Sequence, residues 1–285
     1  MNSKYLLGTA VAAALMFGAQ AASACAINAW SSATGLTVAD TGEPTADFKR
    51  YSGRCSLRVQ NASTPRFVTD ITPNDETSYR VRFYYFTGNI SGAAADIFQA
   101  RNGSGTNIIR VTHDGNQLSF STTSGAAQTV TVVDNRYYSI ELAWASGAGT
   151  GSLTGTVTGN SGGAVNASVA GTVNFANLAN ASDRITEARM GLISGAPTVA
   201  AAVFFDEFDS RRTQNPGRLC RGDVGGGVGG VTDGNINVSD RVVITNEILE
   251  TAVALGAPDV TEDGLINVSD RVAVTNLILD GASCN

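Results

Sequence analysis

The strongest constraint on this 285-residue chain is a repeat near its C-terminus. Asp233-Gly-Asn-Ile-Asn-Val-Ser-Asp240 returns thirty residues later as Asp263-Gly-Leu-Ile-Asn-Val-Ser-Asp270. The copies continue in register as Arg241-Val-Val-Ile-Thr-Asn-Glu-Ile-Leu249 and Arg271-Val-Ala-Val-Thr-Asn-Leu-Ile-Leu279. Val242, Thr245, Ile248 and Leu249 recur at helical spacing, as do Val272, Thr275, Ile278 and Leu279. Each copy therefore predicts a loop followed by a helix. Asp240 and Asp270 open the helices, where a carboxylate meets unpaired amides and the positive end of the dipole.

The loops are rich in oxygen donors at regular intervals. Counting Asp259 as position 1, Thr261 falls at 3, Asp263 at 5, Gly264 at 6, Leu265 at 7, Asn267 at 9 and Asp270 at 12. Calcium takes six to eight oxygens, and an EF-hand-type loop supplies them at positions 1, 3, 5, 7, 9 and 12 around a glycine at 6. Leu265 would contribute its carbonyl, and Ile266 at position 8 is placed to pair with Ile236 in a short ladder between the loops. The first loop supplies Asp233, Asn235, Asn237 and Asp240, but Gly225-Gly-Gly-Val-Gly-Gly-Val231 separates them from Asp223. A strict twelve-residue frame would place Gly229 and Val231 at positions 1 and 3, with no side-chain oxygen. Either Asp223 reaches in over a looped-out glycine segment, or the first site is weak or empty.

No helix is expected to enter either loop, because glycine-containing sequence precedes Asp223 and Gly256-Ala-Pro258 precedes Asp259. Two loop–helix half-hands with Asp at position 12 resemble a type I dockerin over roughly residues 221–282. The resemblance implies a module that binds two calcium ions and docks onto a cohesin-like domain of a partner. It also implies that positions 10 and 11 help to choose that partner. Both copies read Val-Ser there, so two equivalent docking orientations are expected.

Lys4, the apolar run from Leu6 to Phe17 and Ala22-Ser-Ala24 form a bacterial secretory signal peptide over residues 1–24. The mature chain is expected to be secreted, periplasmic or at the cell surface. No later segment is apolar enough to span a membrane. Cleavage after Ala24 leaves Cys25 first, which keeps lipidation open, although Ala22 stands where a lipoprotein signal usually has Leu. The cysteines form an even set, Cys25, Cys55, Cys220 and Cys284, in a compartment where thiols oxidise. Three pairings are possible. Position favours Cys220–Cys284, flanking the repeats, with Cys25–Cys55 tying down the N-terminus.

Residues 25–210 read as all-β. Short alternating runs such as Tyr79–Phe86, Ile108–Val111, Gln117–Phe120, Tyr138–Trp144 and Ala202–Phe208 are separated by turn signals at Asn102-Gly103, His113-Asp-Gly115 and Asp134-Asn135. Ten such strands without a long helix predict a two-sheet sandwich. An early strand rich in aromatics, a Tyr/Trp-rich strand and a closing Phe-Asp-x-Phe strand resemble the concanavalin-A-like or laminin-G-like jelly roll. That resemblance implies binding of sugars or proteins, or hydrolysis of polysaccharides. The expected fold is thus mainly β: a jelly-roll sandwich, a linker over 211–220, and a small α-helical dockerin-like module over 221–285.

Candidate catalytic groups are few. Glu207 and Asp209 lie two apart near the end of the last strand, the spacing that puts two carboxylates on one face. The third carboxylate expected at 205 is Phe205, and the plainer interpretation is acids facing water beside core phenylalanines. His113, the single histidine, sits in an expected turn with no nucleophile beside it. A histidine-based zinc site is excluded by count, and Gly225–Gly230 lacks the lysine of a phosphate loop. Trp30, Trp144, Tyr84 and Tyr85 form either a sugar-stacking platform or core.

Charge separates the two parts. Residues 221–285 carry ten acids and three arginines, whereas the whole chain has a net charge of −6. No basic stripe suggests nucleic acid. Three activities follow. The first is a calcium-binding docking protein whose sandwich binds polysaccharide or surface protein. The second is a jelly-roll glycoside hydrolase. The third is a structural protein whose calcium module clamps its own C-terminus. Exposed apolar residues on the helices would favour docking, and burial of the helices against the sandwich would favour the clamp.

Overall fold

The computed structural model describes residues 26–42, 48–60, 64–91, 94–159, 168–194, 198–199, 202–227 and 230–284. The expected signal peptide over residues 1–24, Cys25 and Gly229 lie outside them. The protein is mainly β. Its strands are β1 (Ser32–Thr34), β2 (Thr41–Gly42), β3 (Ser56–Val59), β4 (Arg66–Asp70), β5 (Ser78–Phe86) and β6 (Ile90–Ser91). Then come β7 (Ala95–Arg101), β8 (Asn107–Asp114), β9 (Gln117–Thr122), β10 (Gln128–Thr131) and β11 (Tyr137–Ala145). β12 (Ala148–Gly159), β13 (Ser168–Ala179), β14 (Glu187–Ser194), β15 (Thr198–Val199) and β16 (Val203–Arg211) complete them. Helices α1 (Val238–Ile248) and α2 (Val268–Leu279) follow.

Two seven-stranded antiparallel sheets face each other, ordered β1-β4-β14-β7-β8-β9-β10 and β13-β12-β11-β5-β16-β3-β2. Alternation along each strand sends one set of side chains between them. From β5 these are Tyr79, Val81, Phe83 and Tyr85; from β11 they are Tyr138, Ile140, Leu142 and Trp144. Phe83 stacks on Phe98 of the opposite sheet with ring centroids 5.1 Å apart.

β4 and β13 were not among the expected strands. β13 is built largely from Ala, Gly, Thr and Asn with only Val169, Val173, Phe175 and Leu178 as larger apolar groups, too weak an alternation to register. His113 corrects the expectation of a turn. It lies in β8, fully buried, with Nδ1 2.7 Å from the Tyr85 hydroxyl and Nε2 3.0 Å from the Gly115 carbonyl. The turn begins one residue after Asp114. Burial lowers the His113 pKa to about 4, so the imidazole is neutral.

The outward-facing residues of the second sheet are unusual. Tyr84, Phe86, Tyr137 and Phe204 point away from the sandwich core and yet are buried. The C-terminal module covers them. Tyr51 stacks on Tyr84 at 3.7 Å between centroids, and Ala257 joins the same cluster. The expected linker is also laid on this face. The Gly217 amide and Asn215 Nδ2 donate to the Glu141 carboxylate (2.6 and 3.0 Å), Arg82 donates to the Gly217 carbonyl (3.1 Å), and the Leu219 amide donates to the Tyr84 hydroxyl (2.9 Å). Its first residue, Arg211, still belongs to β16.

The module has its own small core of Val224, Ile244, Ala254, Val260, Ala273, Val274 and Leu277. Val224 and Val260 occupy equivalent places after Asp223 and Asp259, as the repeat requires. A disulfide joins Cys220 to Cys284 with Cα atoms 5.2 Å apart, closing the module's ends together. Cys55 is also disulfide-bonded. Among the described residues no helix is long and apolar enough to cross a membrane.

Candidate metal centre

The two loops are built alike. Asn237 and Asn267 cap their helices, each accepting from the amide two residues on (2.8 and 2.7 Å). Asp240 Oδ2 and Asp270 Oδ2 accept from the amides of those asparagines (2.8 and 2.9 Å), completing reciprocal caps. Asp263 Oδ1 accepts from the Leu265 amide and Asp233 Oδ1 from Asn235, both at 2.9 Å. At the turn, Asp259 accepts from the amides of Asp263 (3.1 Å) and Gly264 (2.8 Å).

Asp223 does the same in the first loop, accepting from Asp233 (3.2 Å) and Gly234 (2.9 Å). The first loop therefore begins at Asp223 and not at position 229. On the near side of the glycine segment the Gly227 amide donates to the Val231 carbonyl at 2.9 Å. Asp240 Oδ1 accepts from Val224 and Gly225 (2.7 and 3.0 Å), where Asp270 Oδ1 accepts from the Thr261 amide and hydroxyl (2.9 and 3.0 Å). The expected ladder between Ile236 and Ile266 does not form: among the described residues no backbone bond joins the loops there. Ile236 packs on the module core instead.

The donor set suits a hard divalent cation. Asp240, Asp259 and Asp270 are fully buried carboxylates, and among the described residues none of them has a basic partner in an ion pair. Burial and the neighbouring acids Asp270 and Asp263 push the Asp259 carboxyl well above the usual range. Burial raises Asp270 to about 6. Burial likewise raises Asp223, with Asp240 and Asp233 adding to it. Acids crowded in this way are what a bound cation relieves. The oxygens of Asp259, Asp263 and Asp270 do not all lie within 4.8 Å of one another. Cys220, Asp223 and Cys284 do cluster, but the sulfurs are joined in the disulfide and cannot ligate.

The second loop faces the sandwich. Glu262, at position 4 with φ +59°, is buried. Its carboxylate takes Arg218 in an ion pair and the Tyr51 hydroxyl at 3.3 Å, and its carbonyl accepts from the Tyr137 amide at 2.9 Å. Lys49 Nζ donates to the Gly264 carbonyl at 2.9 Å, and Arg136 stands 3.9 Å from Asp263. Arg50, buried, pairs with Glu247 of α1. A cleft of about 730 Å³ opens beside this seam, between Phe48–Arg50, Glu247–Val253 and Gly264–Asn267. No motif in the sequence marks Glu262, Tyr51 or Arg218; all three gain their roles from the packing of the module.

The helices turn their opposite side to solvent. Val238, Val242 and Leu249 of the first repeat are 60, 50 and 65 % exposed, and Val268, Val272 and Leu279 of the second are 59, 52 and 79 % exposed.

The sandwich's candidate residues are placed otherwise. Trp144, Tyr84 and Tyr85 are fully buried and Trp30 packs on Phe208 at 4.9 Å, so these four do not form a stacking platform. β16 bulges between Asp206 and Asp209, with Glu207 at φ +51°, which breaks the simple alternation of the strand. Glu207 lies 3.7 Å from Arg82, and Asp209 pairs with Arg211 at 2.8 Å. Asp206 accepts from the amides of Tyr51, Ser52 and Glu207 (2.7, 3.0 and 2.8 Å), and burial raises it to about 7.

No protein-family model and no curated protein sequence matches the chain. Among solved structures it is similar to the cellulose-induced protein Cip1, with 16 % identity and a TM-score of 0.42, over 62 % of this chain and 88 % of that one. It is also similar to the botulinum neurotoxin serotype D binding domain, with 9 % identity and a TM-score of 0.40, over 54 % of this chain and 38 % of that one. A type C neurotoxin structure described by its interaction with two ganglioside molecules has 11 % identity and a TM-score of 0.38. The chain thus spans about two fifths of the toxin chains it matches.

Proposed function

We propose that this is an exported calcium-binding protein whose C-terminal module docks onto a cohesin-like domain, while its sandwich engages a polysaccharide or a surface protein. The observation that carries the docking is the pair of matching apolar stripes, Val238/Val242/Leu249 and Val268/Val272/Leu279, on the solvent side of the helices. Each valine pair is four residues apart and therefore shares a helix face. A monomer has little reason to leave two related stripes in water. Asp223, Asp233, Asn235, Asn237 and Asp240 would hold one calcium ion. Asp259, Thr261, Asp263, the Leu265 carbonyl, Asn267 and Asp270 would hold the other. Calcium would neutralise the buried acids and stiffen both loops, and with them the angle between the helices.

The clamp reading has its own support in the burial of the second loop against Tyr51, Tyr137 and Phe86. The two are compatible, because the sandwich meets the second loop and Glu247 while the six stripe residues stay exposed. The hydrolase reading has no comparable observation, since Glu207 and Asp209 are each beside an arginine.

The test is surface plasmon resonance of the intact chain against a panel of type I cohesin domains, with and without calcium. Calcium-dependent binding to at least one domain is expected. The Val242→Asp/Val272→Asp double variant should lose that binding while titration calorimetry still shows two calcium equivalents. Equal binding by this variant and the parent chain would remove the docking assignment.

A further inference from the structure

The two loops share a sequence but not an electrostatic setting. Three cations gather at the second besides Arg218, which is taken up by Glu262. Lys49 reaches its Gly264 carbonyl at 2.9 Å, and Arg136 lies 3.9 Å from Asp263. Arg221 is 9 % exposed, and among the described residues neither of its terminal nitrogens has a hydrogen-bond partner. Its charge acts on Asp259 and Asp270, as that of Lys49 acts on Asp259 and Asp263. At the first loop no described basic residue pairs with Asp223, Asp233 or Asp240. Arg241 and Arg271 follow the two helix-opening acids equivalently and cancel in the comparison.

We infer that the sandwich makes the second loop the weaker calcium site, and that calcium there and the seat of the module on the sandwich oppose each other. This rests on the calcium reading above. Fixed positive charge beside a loop lowers its affinity for a divalent cation. Linkage is reciprocal, so calcium in the second loop weakens the pull of Lys49 and Arg136 on the module by the same factor. The contacts at Glu262 and Gly264 also preorganise the loop, which favours binding. Three charges against an acid cluster largely out of water outweigh that gain. The first loop fills first, and the second responds at higher calcium.

Tyrosine reports on the sites separately. Tyr51 and Tyr137 sit against the second loop, whereas the module core around the first contains no aromatic residue. Terbium in the second loop should therefore show tyrosine-sensitised luminescence. The experiment is calcium calorimetry on the intact chain, with competition between calcium and terbium to assign the steps. It is repeated on Lys49→Met, which keeps the stem over Phe86, and on Arg136→Gln, a partly exposed position.

The expected result is two steps, with the sensitised one weaker. Each variant should tighten that step on the order of tenfold, leave the other unchanged, and shrink the accompanying change in tyrosine near-ultraviolet dichroism. A sensitised step that is the tighter of the two, or variants that weaken it or leave it unchanged, would overturn the inference. No calcium uptake at all would instead remove the calcium reading itself. Should Lys49→Met fail to fold, Arg136→Gln carries the test alone.

Discussion

Gly234 and Gly264 hold the same place in the two loops, and replacing each by alanine measures the seam between module and sandwich. Both have left-handed backbone, at φ +79° and +74°. A Cβ there costs about 1 kcal/mol in either loop. Around Gly234 an added Cβ meets nothing within 4 Å. At Gly264 it would lie 2.5 Å from the Phe86 ring and 2.8 Å from the Lys49 stem. The lysine can swing aside. The ring is held by Tyr137 and Phe204, with centroids 5.2 and 5.9 Å away. Overpacking of this kind costs about 1–3 kcal/mol. Gly264→Ala should therefore destabilise by about 2–4 kcal/mol and Gly234→Ala by about 1 kcal/mol. Urea unfolding followed by tyrosine dichroism measures both. It needs a chelator present, because calcium bound to the folded state would shift both midpoints. Equal losses in the two variants would refute the packed seam, since the backbone term is common to both.

Further outcomes follow from the same contacts. His113 is the single histidine, so one imidazole resonance should titrate at about pH 4. Its folded pKa is depressed, so its contribution to stability is full above about pH 6.5 and is lost as pH falls toward 4; a midpoint above 6 would place the ring in water. Asp206 runs the other way: its pKa is raised to about 7, so stability falls as pH rises from about 4 to 7, and its carboxyl carbon resonance should follow that midpoint. The disulfide spans a sequence separation of 64, and the Cys220→Ser/Cys284→Ser variant should lose about 2–4 kcal/mol of module stability in denaturant titration. A loss below about 0.5 kcal/mol would mean that the Tyr84 and Glu262 contacts alone tether the ends.

Several features were legible because they are periodic. Two-residue alternation in Tyr79–Phe86 and Tyr138–Trp144 disclosed strands and one buried face. The repeated Asn-Val-Ser-Asp disclosed two capped helices. Weakly alternating β13 escaped, as did the burial of His113, because a strand next to an Asp-Gly turn looks like the turn itself. The aromatic residues were ambiguous for a different reason. Tyr84 and Phe86 alternate with the core set and should face water, and only a second layer can bury them.

The sequence alone determined the mainly β sandwich, the paired loop–helix units and the oxygen-rich loops, all of which follow from local periodicity and spacing. Tertiary structure decided the rest. It brought Asp223 to the Gly234 turn, laid residues 215–219 along the sheet, and buried Glu262 against Tyr51 and Arg218. It also made two nearly identical loops unequal. A repeat specifies matching local conformations, but the sandwich is a third body that packs on the second loop and meets the first repeat at Glu247 of its helix. Much of the burial and charge at the second loop comes from Lys49, Tyr51, Arg136 and Tyr137, more than a hundred positions away, and no local pattern encodes them.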